Sequence, residues 1–286
     1  MLSGIRKSSV TAEMRQVGYS MDGYRRVIAA AKDAGFQFAS FVERTSTSGR
    51  CLYLRHDVDF SLAAAVELAE TNATLGVRGT FFVLLRSEIY NVLSPWSVDR
   101  IRTLERLGQE VALHYLEPPG AQSDDFAGRI RKDFETVRRE VPTLRRVVSW
   151  HNPSERLLSF RGEGTVGGLV NAYSSAFTTE SLYLSDSNLR HSVEAFEAAI
   201  ANAPTRHAQL LLHPINWVVG GCNVVDVLAG AWRYVMRDRE QGMLSNRVYA
   251  AAFPEGVPET IIDGFVRDWR AAAVDAPGLT STGTVA

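Results

Sequence analysis

Leu52–Phe60 reads Leu-Tyr-Leu-Arg-His-Asp-Val-Asp-Phe, an apolar run that ends in Arg55, His56, Asp57 and Asp59. Such a run belongs in an interior, and carboxylates enter interiors only when paired or bound to a cation. Residues two apart on a strand share a face, so Asp57 and Asp59 can converge on one small volume. Two converging carboxylates can hold a metal, or divide acid and base duties between them. The plainer alternative is a strand-end cap in which both acids pair with Arg55.

The elements that must position these acids alternate along the chain. An irregular lead-in over 1–18 precedes a helix at Met21–Ala34, closed by Gly35, and a short strand within Phe36–Val42. The strand Leu52–Arg55 opens into the His-Asp-Val-Asp loop. Ser61 caps a helix at Leu62–Leu75, and Gly76 ends it. Strands follow at Arg78–Leu85, at Glu110–Leu113 running into His114, at Arg146–Trp150 running into His151, and at Ala208–Leu212 running into His213. Helices at Ser97–Leu107, Asp124–Glu140 and His191–Ala203 separate them, and Val224–Arg239 and Pro258–Ala273 are late helices. Asn171–Phe177 and Ser181–Leu184 read as short strands, the second ending at Asp186.

This βαβ alternation predicts an α/β fold with mostly parallel strands, as an open sheet or a barrel, whose site lies at the C-terminal strand ends. A single domain over 1–275 is expected, with helical additions at both ends and a disordered tail over 276–286. Of six histidines, His56, His114, His151 and His213 fall at strand ends. Core packing alone does not produce several strands that each end in His or Asp.

The whole-chain numbers exclude several classes. The 286 residues are 45% hydrophobic and 22% charged with a formal net charge of -1, so no basic field recruits nucleic acid. No run approaches the ~20 apolar residues of a membrane span. Cys51 and Cys222 are far apart and read as free thiols, and Met1–Gln16 has no apolar signal core, so a cytoplasmic protein is expected. Gly162–Gly168 is no phosphate loop, because it lacks the Gly-Lys-Ser/Thr that reaches the phosphates.

Carboxylate and imidazole together suit a divalent transition metal, zinc or else iron, manganese, cobalt or nickel, better than calcium. An open site of that kind activates water and polarises a carbonyl. A spare carboxylate can take the water's proton, and a spare histidine can protonate the leaving group. The composition therefore reads as metal-assisted hydrolysis of an acyl group on an amide or ester.

Arg55-His56-Asp57-Val58-Asp59, the strand Gly79–Leu85, Gln109–His114 and Leu210-Leu211-Leu212-His213 together resemble the NodB-homology, or polysaccharide deacetylase, family (carbohydrate esterase family 4) over roughly residues 20–220. The resemblance is to a divergent branch with His-Asp-Val-Asp in place of Thr-Phe-Asp-Asp-Gly. It implies an irregular (β/α) barrel and metal-dependent N- or O-deacetylation of sugars, with a small carbohydrate or acylated substrate as the partner. It also implies Asp57 as base, Asp59 and His114 as metal ligands, and His213 as general acid. The family's second histidine falls at Pro118, and His151-Asn152-Pro153 stands where Arg-x-Pro is expected. The third ligand is therefore His151 or its rival Glu117.

Several other residues admit more than one reading. His56 is oriented away from Asp57 or lies behind the ligands, and Asn152 has a supporting role. Asp186 caps a loop or braces His213. Trp217 and Trp150 stack on a sugar face or fill the core, and His191 and His207 lie at the surface. Competing functions are a non-catalytic glycan-binding or scaffold protein, and an amidohydrolase acting on a small non-sugar substrate.

Overall fold

The computed structural model describes residues 15–43, 49–118 and 125–274, so the expected disordered tail over 276–286 lies outside the described residues. The strands are β1 (Gln16–Tyr19), β2 (Phe36–Phe38), β3 (Arg50–Val58), β4 (Thr80–Leu84), β5 (Glu110–Leu116), β6 (Arg145–His151), β7 (Thr165–Val166), β8 (Leu169–Asn171), β9 (Leu182–Ser185), β10 (His207–Leu212) and β11 (Gly221–Asn223). The helices are α1 (Met21–Asp33), α2 (Leu62–Thr74), α3 (Pro95–Arg106), α4 (Phe126–Glu140), α5 (Glu155–Ser159), α6 (Val193–Ala201), α7 (Pro214–Val219), α8 (Val224–Met243), α9 (Arg247–Ala252) and α10 (Glu259–Val274).

Local chemistry sets the helix starts. The side chains of Ser20, Ser61, Ser94 and Ser192 accept backbone N–H groups at the first turns of α1, α2, α3 and α6. In α4, Ile130, Phe134 and Val137 recur at helical spacing and are buried, while Arg131, Lys132 and Arg138 face outward.

The main sheet runs β7-β8-β6-β5-β4-β3-β10-β9, with β2 also paired to β3. Every pairing in it is parallel except β7 with β8. Strand β6 and strand β10 are four spacings apart in that order, which is about 19 Å on a flat sheet. Yet His151 at the end of β6 and His213 after β10 both reach Asp59, at 3.2 and 3.5 Å. The sheet is therefore curled into an open (β/α) half-barrel with its C-terminal strand ends gathered over one point.

Alternation along β3 divides the core. Leu52, Leu54 and Val58 face outward beneath the helices, in two large apolar clusters. Tyr53, Arg55 and Asp57 face inward. Phe41, Tyr53, Phe82 and Phe177 plug the inside below the acids, with ring centroids 4.7–5.8 Å apart.

Three expectations change here. Gln16–Tyr19 is a strand paired antiparallel to β11 and not an irregular lead-in; its partner lies over 200 residues away, beyond any local signal. Strand β3 continues to Val58, so Asp57 is inside the strand and not in a loop, because β4 and β10 supply ladder partners that outlast the apolar run. Asn171–Phe177 is mostly not strand: β8 stops at Asn171, whose side chain accepts from Tyr173 N–H and turns the chain. No helix among the described residues is long and apolar enough to cross a membrane.

Candidate metal and acid–base site

Strand register brings the site together. In β5 and β6, His114 pairs with Ser149 and Leu116 with His151, so His114, Ser149 and His151 all share the inner face with Asp57. Asp59 follows the end of β3. His114 Nε2 lies 3.3 Å from Asp59 Oδ1, and His151 Nδ1 lies 3.2 Å from the same oxygen. Asp59, His114 and His151 each offer a ligand atom, all within 4.8 Å of one another.

Among the described residues, no group meets the buried Asp59 Oδ1 with hydrogen-bond geometry, a costly state for a carboxylate oxygen. The two imidazoles that face it are each anchored from behind. His114 Nδ1 is 2.7 Å from Ser149 Oγ, and His151 Nε2 is 3.1 Å from the side-chain amide of Asn152. Ser149 Oγ can accept Nδ1–H of His114, which leaves His114 Nε2 as the lone pair that suits a metal ligand. Asn152 Nδ2 instead donates to His151 Nε2, which places the His151 ring hydrogen on Nδ1, facing Asp59; turning the Asn152 amide over would offer its Oδ1 to Nε2–H and free Nδ1 as a ligand. Asn152 holds φ 43°, a left-handed conformation that Asn tolerates better than most residues. An oxygen and two nitrogens fit a divalent transition cation and do not fit calcium.

Glu117, the rival ligand, points elsewhere. Its Oε2 accepts from Ser154 Oγ at 2.9 Å, and its Oε1 lies 3.9 Å from Arg156. It starts the segment after β5, beyond the last inward position of the strand, and the first turn of α5 draws it away.

Asp57 is a second acid in a different environment. Arg55 reaches along its own strand and grips it with two donors, Nε to Oδ1 at 2.8 Å and Nη2 to Oδ2 at 2.6 Å. Both side chains are buried, at 0% and 3% exposure. Burial pushes the Asp57 carboxyl up, but Arg55 and then His114 more than offset it and hold it below the ordinary carboxylate range. Asp59 is held well below that range too: burial opposes, and the imidazoles of His114, His151 and His213 prevail.

His213 stands across from them, its Nε2 3.5 Å from Asp59 Oδ2. Its Nδ1–H donates to Asp186 Oδ1 at 2.5 Å. Asp186 Oδ2 also accepts from Trp217 Nε1 at 2.9 Å, from Asn216 Nδ2 at 3.2 Å and from His213 N–H at 2.9 Å. Burial would push the imidazolium down, but Asp186, with Asp59 and Asp57, raises His213 to about 10.

No protein-family model matches the chain, and no curated protein matches it. Among solved structures it is similar to a family 4 carbohydrate esterase from Bacillus anthracis, at 17% identity and a TM-score of 0.36 over 75% of this chain and 86% of that one. It is similar to a peptidoglycan deacetylase of Bdellovibrio bacteriovorus, at 13% identity and TM-score 0.37 over 82% and 60% of the two chains. It is also similar to the chitin deacetylase of the fungal pathogen Colletotrichum lindemuthianum, at 17% identity and TM-score 0.39 over 63% and 80%. Likenesses this distant carry no functional conclusion, which rests on the side chains.

The remaining candidates resolve as follows. Asp186 braces His213 and makes no side-chain cap on the turn it begins. Trp217 is fully buried, stacked on Tyr19 at 4.5 Å, so it supports Asp186 and presents no face to a sugar. Trp150 is buried under α4 on the outer side of β6. Both tryptophans were placed by helices that cover them, which periodicity around them does not reveal. His56 lies on the outer face, fully buried, 3.3 Å from both Tyr24 Oη and Asn72 Nδ2.

Ser149 carries no earlier assignment, and Arg55 pairs with Asp57 as the strand-end alternative expected but makes no such pair with Asp59. Ser149 anchors His114, and its only sequence signal is its place two residues before His151. Arg55 braces Asp57 from the same strand, where the resemblance looks for an arginine on the third motif. Its signal was the i, i+2 spacing itself.

Proposed function

We propose that the chain is a metal-dependent hydrolase that removes an acetyl-like acyl group from an amide or ester on a sugar or glycan precursor. The observation that carries the reading is the orphaned, buried Asp59 Oδ1 facing two imidazoles anchored from behind. Asp59, His114 and His151 would hold the cation, zinc by donor chemistry, with iron, manganese, cobalt or nickel also accommodated. When bound, it polarises the acyl carbonyl and acidifies a water.

The chain's own groups divide the proton work. Asp57, kept ionised by Arg55, accepts the proton of the attacking water at a carboxylate oxygen. His213, kept protonated by Asp186, donates from Nε2 to the departing nitrogen or oxygen. One carboxyl pushed down and one imidazole pushed up separate base from acid at neutral pH. The sugar part of the reading is supported by the motif resemblance, not by this geometry.

The test joins metal content to acyl release. Purified protein should hold about one divalent cation per chain and release acetate from an N-acetylated sugar such as chitotriose. Asp59→Ala should lose the cation, and His213→Ala should keep it while losing turnover. Protein that takes up no divalent cation refutes the reading.

A further inference from the structure

The residue bearing the orphaned carboxylate sits on a short bridge, Asp59–Phe60, between the end of β3 and the Ser61 cap of α2. Both ends of that bridge are held by side chains from elsewhere in the chain. At the first end, Tyr90 Oη donates to Val58 O at 2.7 Å and accepts Leu84 N–H at 2.9 Å. This locks the last turn of β3 to the end of β4. At the second end, Ser61 Oγ accepts from Ala63 N–H and Ala64 N–H at 3.1 and 3.3 Å and donates to Asp238 Oδ2 at 2.8 Å. One hydroxyl is thereby committed on both its accepting and its donating side, which fixes its rotamer.

Asp238 belongs to α8, far along the chain. Its side chain is 3% exposed, and a buried carboxylate is retained only where partners hold it. Arg239 donates to the same Oδ2 at 2.8 Å and also reaches Ile89 O at 3.4 Å, while Arg100 lies 3.7 Å from Oδ1. The arginines neutralise the acid; the Ser61 hydroxyl gives it a direction, toward the bridge that carries Asp59.

We infer that Asp238 is a positioning residue for the metal site, through which helix α8, outside the barrel sheet, fixes Asp59 against His114 and His151. The inference rests on the metal reading above. Ligand oxygens must hold their place to within a few tenths of an ångström, and groups behind a ligand commonly set metal affinity by about 10–100-fold.

The experiment measures zinc affinity of the full-length chain by competition with a chromophoric chelator, with folding followed by circular dichroism. Asp238→Ala should bind zinc about 10–100-fold more weakly while keeping its helical spectrum. Asp238→Asn, which still accepts from Ser61, should stay within a few-fold of wild type. Ser61→Ala should weaken binding like Asp238→Ala, and the double variant should be no weaker than either single one. Should Asp238→Ala fail to fold, Ser61→Ala carries the same measurement. A folded Asp238→Ala or Ser61→Ala that binds zinc as tightly as wild type overturns the positioning role alone. Wild-type protein that binds no zinc overturns the metal reading and this inference with it.

Discussion

Asp57 and Asp59 are two residues apart and do different things because their nearest charges differ. Arg55 neutralises Asp57 with a buried two-point grip, whereas the charged partners of Asp59 among the described residues are imidazoles. Replacing Arg55 by Met removes the two-point partner of a buried carboxylate and leaves it facing His114 alone among the described residues, which costs up to about 3–5 kcal/mol. Without the guanidinium the Asp57 carboxyl rises, so it stays protonated to higher pH. The acid limb of the pH–rate profile should therefore move to higher pH, with Arg55→Lys intermediate; an unmoved limb would remove Asp57 from the base role. His151 and Glu117 are separated by the same logic of partners. His151→Ala should lower cation affinity by one to two orders of magnitude, and Glu117→Ala should leave it unchanged, as read by elemental analysis after dialysis. The reverse pattern would hand the third ligand position to Glu117. The acids and histidines were legible in the sequence by type and spacing. Ser149 was not, because its role depends on which residue of β5 it faces.

At the scale of elements, the site depends on pieces outside the parallel sheet. The turn between α7 and β11 sets Asn216 and Trp217 against Asp186, and β1 closes over that turn. Gly220 makes it possible: φ is 66° with ψ near 180°, a region essentially restricted to glycine, and a Cβ there would sit 2.9 Å from Tyr19 O. Gly220→Ala should cost about 1–3 kcal/mol of stability, measured by urea unfolding. It should also reduce turnover more than metal affinity, since it disturbs the His213 support and not Asp59. A variant with unchanged stability would show that the turn relaxes freely. The helix caps and the βαβ order were readable from the chain, since a cap needs only its own first turn. Strands β1 and β11 were not, since short strands become strands only when their partner arrives.

Across the whole molecule, Asp59, His114 and His151 tie β3, β5 and β6 together at the mouth of a curled sheet. A cation bound only by the folded state adds about 2.7 kcal/mol at a hundredfold excess over its Kd. Stripping the protein with chelator should accordingly lower its melting temperature by several degrees, and adding zinc should restore it. An identical melting curve would mean that the cation does not brace the fold. Acid should destabilise the chain through His56. Burial pushes its imidazole down from near 6.5 to about 3, so the folded state refuses a proton that the unfolded state takes up. That contribution is complete above pH 6.5 and is lost as pH falls toward 3, by up to about 1.4 kcal/mol per pH unit. His56→Asn should flatten the urea midpoint between pH 7 and 5, and an equally steep dependence would place the titration elsewhere. By itself the sequence determined the chemistry on offer and the parallel α/β plan, because residue type, the period-two alternation of strands and helix caps are local properties. Only the tertiary structure decided which groups meet: the curl that brings His151 and His213 onto Asp59, the turning away of Glu117, and the grip of α8 behind Asp59. Those outcomes depend on strand register and sheet curvature, which are set by contacts between residues far apart in the chain.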